Sequence, residues 1–251
     1  MTNNSIYKYP ALYDDIMWWK KDDIAFWSKI IKQYKIGSVL ELCCGTGRIG
    51  LPLIEADIDY HGIDLSQNFI DHFKQKLKNI DYDTKQLYCG DIIDFDLGRS
   101  FDLIFIGFNS FAHILTNKEA LDSFLNIRKH MHSKSIFAFD IFVPDPSFLY
   151  RKKNDKINIM DFLESTNNQK LNILESTNFN TETEINHIDW LFTDFKNVEK
   201  FKYSFDMRMY FPDTLNRLLI DSKFRINKFC GSYDLTKFNE QSEKQIYLCS
   251  K

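Results

Sequence analysis

The stretch Gly45-Thr46-Gly47-Arg48-Ile49-Gly50 decides the fold of this chain, because it puts three of the nine glycines within six residues. It follows directly after the apolar, strand-like run Ser38-Val39-Leu40-Glu41-Leu42. Glycines at a strand-to-helix turn allow positive φ and a close approach of the backbone to a ligand, and the helix that follows offers free N–H groups. The stretch therefore predicts a site for a nucleotide-sized ligand. Its spelling also fits the dinucleotide fingerprint G-x-G-x-x-G, with Asp64 near the expected distance for a ribose contact.

Three acidic residues end successive predicted strands, and they favour a different ligand. Glu41 lies four positions before Gly45, where a carboxylate would repel the pyrophosphate of a dinucleotide. S-adenosylmethionine has no phosphate and carries an ammonium group, which Glu41 could bind directly or through water. Asp64 could accept hydrogen bonds from both ribose hydroxyls, and Asp91 could accept one from the adenine amino group, with the Ile92 N–H at a ring nitrogen. The acids therefore predict S-adenosylmethionine over NAD.

Four segments resemble the Rossmann-like, S-adenosylmethionine-dependent methyltransferases in motif, order and spacing. They are Glu41-Leu42-Cys43-Cys44-Gly45-Thr46-Gly47, Gly62-Ile63-Asp64-Leu65-Ser66, Cys89-Gly90-Asp91-Ile92 and the predicted fourth strand with its loop, Phe101 to Ser110. Cys43 departs from the family pattern, since many members have the first glycine of the loop at this position. The resemblance covers residues 38 to 143 and implies S-adenosylmethionine as the cofactor. The implied cofactor contacts are Glu41, Leu42, Cys43, Gly45, Thr46, Gly47, Asp64, Leu65, Asp91, Ile92, Phe108 and Asn109.

The hydrophobic pattern predicts an α/β fold. Amphipathic segments alternate with predicted strands at about 38–42, 59–64, 85–90, 101–107 and 135–143, which is typical of a parallel sheet covered on both faces. A helix is predicted over 21–34. With the resemblance, the prediction is a Rossmann-like seven-stranded methyltransferase sheet with helices on both faces and the ligand at the carboxyl ends of the strands.

The pattern changes to a period of two after Tyr150. Phe201, Tyr203, Phe205, Met207, Met209 and Phe211 alternate with polar residues and Tyr210, as in an antiparallel strand with one buried face. Weaker strands fit 157–163, 170–178 and 184–192, with turns near 178–181 and 194–197; a helix fits 213–222, and strands fit 224–231 and 244–250. The predicted parts are an N-terminal lid segment and helix (1–35), a cofactor-binding core (36–149), a mostly antiparallel β insertion (150–211), and a C-terminal helix and strands that complete the core sheet (212–251).

Composition limits the partners and the compartment. The net charge is −3 with acids and bases interleaved, which gives no reason to expect nucleic acid binding. The first five residues lack the features of a signal peptide, no apolar run is long enough to span a bilayer, and the five cysteines show no metal-ligand spacing. We expect a cytoplasmic protein with free thiols and neither a metal nor a membrane partner. The run Arg151-Lys152-Lys153 is interpreted as a solvated loop.

A second, shorter resemblance narrows the reaction. Asn109-Ser110-Phe111-Ala112-His113-Ile114 and the leader residues Ala11-Leu12-Tyr13-Asp14 resemble the subgroup that contains glycine N-methyltransferase and the amino-sugar N,N-dimethyltransferases. This resemblance implies a small polar acceptor, an amine, with Tyr13 and His113 both beside the cofactor and acting in the transfer. For His113, a hydrogen bond that only fixes the loop is the alternative. The whole aromatic-rich leader, Tyr7 to Trp19, could fold over the cofactor as a lid, or its Trp18 and Trp19 could pack outside the core.

The favoured function is N-methylation of a small molecule. The loop after the fourth strand lacks the motif of adenine and glutamine N-methyltransferases, and the chain has no Pro-Cys nucleophile for cytosine C5 methylation. Residue 107 is a glycine and not an acid, so the metal site of catechol-type O-methyltransferases is not predicted. The alternatives are O-methylation of a small molecule, a nicotinamide-dependent oxidoreductase, and a binding protein that keeps the cofactor fold without turnover. The β insertion is expected to form the acceptor pocket or the contact of a homodimer.

Overall fold

The computed structural model describes residues 6–152 and 155–251. Its centre is a seven-stranded sheet in the order β10-β11-β5-β4-β1-β2-β3. The strands are β1 (Ser38–Leu42), β2 (Asp59–Asp64), β3 (Leu87–Cys89), β4 (Phe101–Ile106), β5 (Met131–Phe142), β10 (Arg225–Cys230) and β11 (Lys244–Ser250). Strands β1 to β5 pair in parallel with their neighbours among these five. Strand β11 runs antiparallel to both of its neighbours, β5 and β10. This arrangement confirms the predicted Rossmann-like fold.

Helices and two apolar clusters cover both faces of the sheet. The helices are α1 (Pro10–Met17), α2 (Asp22–Tyr34), α3 (Gly50–Glu55), α4 (Gln67–Lys76), α5 (Asn117–Lys129), α6 (Pro146–Leu149) and α7 (Pro212–Asp221). Leu40 and Leu42 of β1 belong to one cluster, and Val39 belongs to the other. Because side chains alternate along a strand, both faces of β1 are buried. None of the described helices is both long enough and apolar enough to cross a membrane.

The inserted segment forms a second, four-stranded antiparallel sheet. Its strands are β6 (Ile157–Glu164), β7 (Gln169–Asn180), β8 (Ile185–Asp194) and β9 (Glu199–Arg208), paired in that order. One face of this sheet packs on the leader, where Ile6, Leu12 and Ile16 join a cluster with Phe162 and Phe192. The leader therefore lies between the core and the inserted sheet, and the three parts surround one space.

Three local predictions differ from the structure. The period-two alternation predicted over residues 201–211 breaks after Met207: β9 ends at Arg208, and Phe211 is 37% exposed. The reason is that the chain turns into α7 at Pro212. β7 continues to Asn180, so the turn predicted near 178–181 lies at 181–184. β5 begins at Met131, four residues early, through an irregular pairing with β4. The first five residues and Lys153 of the basic run lie outside the described residues. Lys152 is exposed, as a solvated loop predicts, whereas Arg151 is only partly exposed and pairs with Glu175 (2.7 Å).

Candidate active site

A cavity of about 600 Å³ opens at the carboxyl ends of β1, β2 and β4, where the core, the leader and the inserted sheet meet. This is the edge at which parallel α/β sheets bind ligands. Most of the predicted cofactor contacts line it. They are Tyr13, Cys43, Gly45, Asp64, Leu65, Asp91, Ile92, Phe108, Asn109 and His113.

The glycine loop has the left-handed backbone that its sequence predicts. Cys43, Gly45 and Gly47 have φ values of 59°, 59° and 83°. A Cβ on Gly47 would lie 2.2 Å from the Phe73 ring, so this position requires glycine for packing as well as for its backbone angle. Cys43 adopts the left-handed conformation that favours glycine, and it lines the cavity.

Asp64 ties the end of β2 to this loop. One carboxylate oxygen accepts a hydrogen bond from the Gly45 N–H (2.8 Å), and the other accepts one from the Ser66 N–H (2.8 Å). Burial raises the pKa of Asp64, and these two hydrogen bonds lower it. Both oxygens keep further lone pairs on the cavity wall, which suits a group with two neighbouring hydroxyls such as a ribose.

Asp91 is held on the same wall by a local turn. Its Oδ1 accepts a hydrogen bond from the Ile93 N–H (3.0 Å), and Gly90, Ile92 and Ile93 line the cavity beside it. A carboxylate and backbone groups next to apolar side chains suit a flat ring with polar edges. The strand ends therefore fit the ribose and adenine of S-adenosylmethionine.

The loop after β4 is held in a strained conformation by β5. Phe108 and Asn109 both have positive φ, 53° and 61°. The Phe108 N–H donates to the Asp140 side chain (2.9 Å), and the Asn109 side-chain oxygen accepts from the Phe142 N–H (2.8 Å). Burial raises the pKa of Asp140 to about 6, and a hydrogen bond from the Tyr233 hydroxyl (2.9 Å) opposes that shift. Asp140 thus fixes the loop that carries Phe108 on the wall.

His113 lies at the junction of the three parts and faces the cavity. Its Nδ1 is 3.2 Å from the Asp206 carbonyl of β9, and its Nε2 is 2.8 Å from the Tyr7 hydroxyl. Burial lowers the pKa of His113, and the Asp206 carbonyl opposes the shift. The Tyr13 ring packs 4.9 Å from Phe69, and burial raises the pKa of Tyr13 to about 12. Both predicted catalytic side chains therefore border the cavity as neutral groups near pH 7.

Four predicted cofactor contacts do not line the cavity. Glu41 points to the other side of β1, where it accepts a hydrogen bond from the Tyr60 hydroxyl (2.6 Å), and Leu42 is fully buried in the core. Thr46 donates from its hydroxyl to Asp14 (2.6 Å), and Gly47 packs on Phe73. Burial raises the pKa of Glu41 to about 8, so the fixed negative charge assumed from the sequence is largely absent near neutral pH.

The sequence did not predict the role of Tyr7, and it predicted an acceptor pocket from the β insertion without identifying the side chains of its wall. Tyr7 lies in the aromatic leader, but its partner His113 is 106 positions away, and no local pattern predicts such a pairing. The period-two pattern of the insertion did signal an inward face, although not which side chains reach the cavity. Trp19 lines the cavity beside Phe108, whereas Trp18 is 63% exposed. The closing of the leader over the cofactor stays a prediction.

Comparisons with known proteins show which proteins this chain is similar to. Residues 39–134 match the family model described as "Methyltransferase domain". The chain is 21% identical over 259 residues to a Bacillus subtilis (strain 168) protein named "Putative methyltransferase YqeM", covering 97% of this chain and 96% of that protein. An S-adenosylmethionine-dependent methyltransferase from Clostridium acetobutylicum ATCC 824 is similar in structure, with a TM-score of 0.79, 20% identity and 97% of each chain covered.

A sugar N-methyltransferase, KedS8 from Streptoalloteichus sp ATCC 53650, is also similar in structure. Its TM-score is 0.74 at 16% identity, over 100% of this chain and 95% of that one. At these identities the structures show the fold. The domain match covers the glycine loop, Asp64, Asp91 and His113. It confirms the predicted class of enzyme, a methyltransferase. The comparisons together support S-adenosylmethionine as its methyl donor, and they set aside the nicotinamide alternative.

Proposed function

We propose that this methyltransferase transfers the methyl group to the nitrogen of a small amine. The observation that carries the proposal is a neutral histidine, His113, placed on the wall of the cofactor cavity with one ring nitrogen prepared to accept a proton. An amine is protonated at neutral pH, and it must lose a proton before its lone pair can attack a methyl carbon.

The tautomer of His113 follows from its partners. A carbonyl oxygen can only accept a hydrogen bond, so Nδ1 carries the proton that it donates to Asp206. In the neutral ring Nε2 is then the acceptor, and Tyr7 donates its hydroxyl proton to it. Burial raises the pKa of the Tyr7 hydroxyl well above its ordinary value, so Tyr7 is not a resident base. It can instead pass a proton on.

The proton path therefore runs from the acceptor to His113 through Tyr7. The ammonium proton moves to the Tyr7 oxygen as the Tyr7 proton moves to Nε2, which leaves an imidazolium whose Nδ1–H remains bonded to the Asp206 carbonyl. S-adenosylmethionine, when bound, would supply a methyl group on a sulfonium. The leaving group is a neutral thioether, so its departure needs no acid. Tyr13, Phe69 and Phe108 line the cavity, and the Tyr13 oxygen and the three ring faces suit a positive charge.

One protein of similar structure supports the proposal. KedS8 is described as a sugar N-methyltransferase, and an enzyme of similar fold can carry the same type of transfer. Because that protein is 16% identical, the identity of the acceptor does not follow from it.

A screen of acceptors tests the proposal. S-adenosylmethionine labelled at the methyl carbon is incubated with amines, amino sugars, amino acids and phenols, and the labelled product is identified by mass spectrometry and NMR. We expect label on nitrogen. When His113 variants are assayed in this way, His132→Asn is their control, because His132 pairs with Asp102 and does not line the cavity. Label on the oxygen of a phenol or an alcohol would replace N-methylation with the O-methylation alternative.

A further inference from the structure

The inserted sheet forms the wall opposite the cofactor motifs, and that wall is almost wholly apolar. Its side chains come from all four strands of the insertion. They are Ile159, Met160, Ile173, Glu175, Ile188, Trp190, Phe205 and Met207. Among the described residues of the sheet that line the cavity, Glu175 is the only one with a charged side chain.

The strand register explains why the wall is apolar. Glu175 lies opposite Trp190, and Ile188 lies opposite Phe205, so their side chains share one face. The alternate positions, His187 and Asp206, are joined by a hydrogen bond on the outer face (2.7 Å). The sheet thus separates a polar outer face from an apolar inner face.

Glu175 is the charged residue of this wall, and both of its carboxylate oxygens are already paired. One carboxylate oxygen accepts a hydrogen bond from the Trp190 indole N–H (3.0 Å), and the other pairs with Arg151 (2.7 Å). The charge is neutralised and the Trp190 ring is fixed by these two contacts. The Phe205 ring packs edge-on against Trp190 at 5.0 Å and lies 6.0 Å from His113, so the aromatic surface extends up to the proton path.

We infer that the methyl acceptor is an amine whose nitrogen is attached to an apolar body. The body lies against Trp190, Phe205, Met207 and Ile188, and the nitrogen faces Tyr7 and His113. This inference rests on the proposed function. It differs from the small polar acceptor that the sequence resemblance implies.

A polyhydroxylated acceptor fits this wall poorly. Each hydroxyl placed against it loses water, and the wall offers no hydrogen-bond partner apart from a carboxylate that is already paired on both oxygens. Unpaired polar groups in an apolar site are strongly disfavoured, whereas an apolar group there gains from leaving water.

A pair of acceptors tests the inference. We compare kcat/KM for 2-phenylethylamine and for glucosamine, both primary amines, at saturating S-adenosylmethionine. The expected preference is at least about 10-fold for 2-phenylethylamine, the size of discrimination that an apolar pocket gives. N-methylation of glucosamine at equal or higher kcat/KM would overturn the inference and leave N-methylation standing. Transfer to oxygen alone, or to no acceptor while the cofactor binds, would overturn the proposed function and the inference with it.

A variant of the wall adds a second readout. Met207→Gln keeps the length of the side chain but adds a polar amide to the wall. It should lower kcat/KM for 2-phenylethylamine about 10-fold while the affinity for S-adenosylhomocysteine, measured by calorimetry, stays within about 2-fold. Leu163→Gln, on the exposed part of β6, is the control and should match the wild type. An unchanged kcat/KM in Met207→Gln, with normal cofactor binding, would overturn the inference.

Discussion

Asp64 and Glu41 are carboxylates at the ends of neighbouring strands, yet their surroundings give them different tasks. Asp64 lies on the cavity wall with both oxygens held by backbone N–H groups. Glu41 lies on the far side of β1 and contacts Tyr60. Their places in the sequence predict that both residues bind the cofactor. The direction in which each side chain leaves its strand separates them.

Asp64→Ala should weaken cofactor binding and leave the fold intact. It removes the only charged acceptor that we assign to the ribose hydroxyls, and the loss of a hydrogen bond to a charged group costs roughly 1.5–3 kcal/mol, or about 10- to 150-fold in affinity. Calorimetry with S-adenosylhomocysteine measures this change, and circular dichroism checks the fold. An affinity equal to that of the wild type would remove Asp64 from the site.

Glu41→Gln should change the dependence of stability on pH. The folded pKa of about 8 lies above the ordinary value of 4.5, so the folded state binds the proton more tightly. The stability that Glu41 contributes is then complete below about pH 4.5 and is lost as the pH rises through 8, on the order of 3–5 kcal/mol in total. Gln stays neutral and can still accept from Tyr60.

Urea unfolding at pH 5, 6, 7 and 8 measures this effect. The free energy of unfolding of Glu41→Gln should fall less between pH 5 and 8 than that of the wild type. Glu55→Gln, at an exposed position of α3, should keep the wild-type slope. Equal slopes for all three proteins would show that Glu41 is ionised at neutral pH in the folded state.

His113→Ala should lower turnover about 10²-fold at neutral pH, the usual contribution of a positioned base. Burial lowers the pKa of His113, so the wild-type rate should rise with pH at values below about 6.5 and then level off. Without the histidine only the neutral fraction of the amine reacts, so the variant rate should keep rising toward the pKa of the acceptor. Rate–pH profiles with cofactor affinity as a control measure this difference. Wild-type rates with a lowered melting temperature would assign His113 a structural role.

Helix α1 lines one side of the cavity, and the Asp14 carboxylate ties the helix to the core. Asp14 accepts hydrogen bonds from Thr46 (2.6 Å) and His72 (2.8 Å) and pairs with Lys76 (2.6 Å), so α1 is tied to both the glycine loop and α4. Tyr13, Ile16 and Met17, on the same helix, line the cavity. The leader is thus bound to the core by polar contacts of Asp14, and it presents apolar and aromatic side chains to the cavity.

Asp14→Ala should loosen the leader. It removes three contacts of a partly exposed side chain, so we expect a loss of about 1–2 kcal/mol in unfolding free energy. If the leader closes over the cofactor, affinity for S-adenosylhomocysteine should fall about 3- to 10-fold as the closed state becomes less populated. Asp122→Ala removes only the exposed pair with Lys118 and should stay within about 0.5 kcal/mol of the wild type. Undiminished affinity in Asp14→Ala would mean that the leader does not act as a lid.

Elements with a strong hydrophobic period were predicted well from the sequence. β1, β2 and α7 lie within one residue of their predicted bounds, because burial of a face imposes its period on the sequence. α1 was missed, since its apolar residues face two different neighbours, the core and the inserted sheet. The pairs that build the site, Tyr7 with His113 and His113 with the Asp206 carbonyl, join distant segments. Such contacts depend on the packing of whole elements and leave no local pattern.

At the scale of the whole molecule, the cavity is the place where the N-terminal segment, the core and the β insertion meet. The division at 1–35, 36–149, 150–211 and 212–251 stays a prediction, and so does a homodimer through the inserted sheet, which sedimentation analysis would test. The inner face of that sheet is already used by the leader and the cavity. A dimer contact would therefore have to use its outer face or its edges.

A ligand in this cavity should stabilise the chain as a unit, because it touches all three parts at once. At about 100 times its dissociation constant a ligand adds roughly 2.7 kcal/mol, which for this size raises the melting temperature by about 5–10 °C. S-adenosylmethionine and S-adenosylhomocysteine should both produce this shift, and NAD(H) should not. The Asp64→Ala protein is the matched control, since its fold is retained while its shift at the same ligand concentration should be smaller. A shift with NAD(H) and none with S-adenosylmethionine would contradict the cofactor assignment, and a full shift in Asp64→Ala would place the cofactor elsewhere in the cavity.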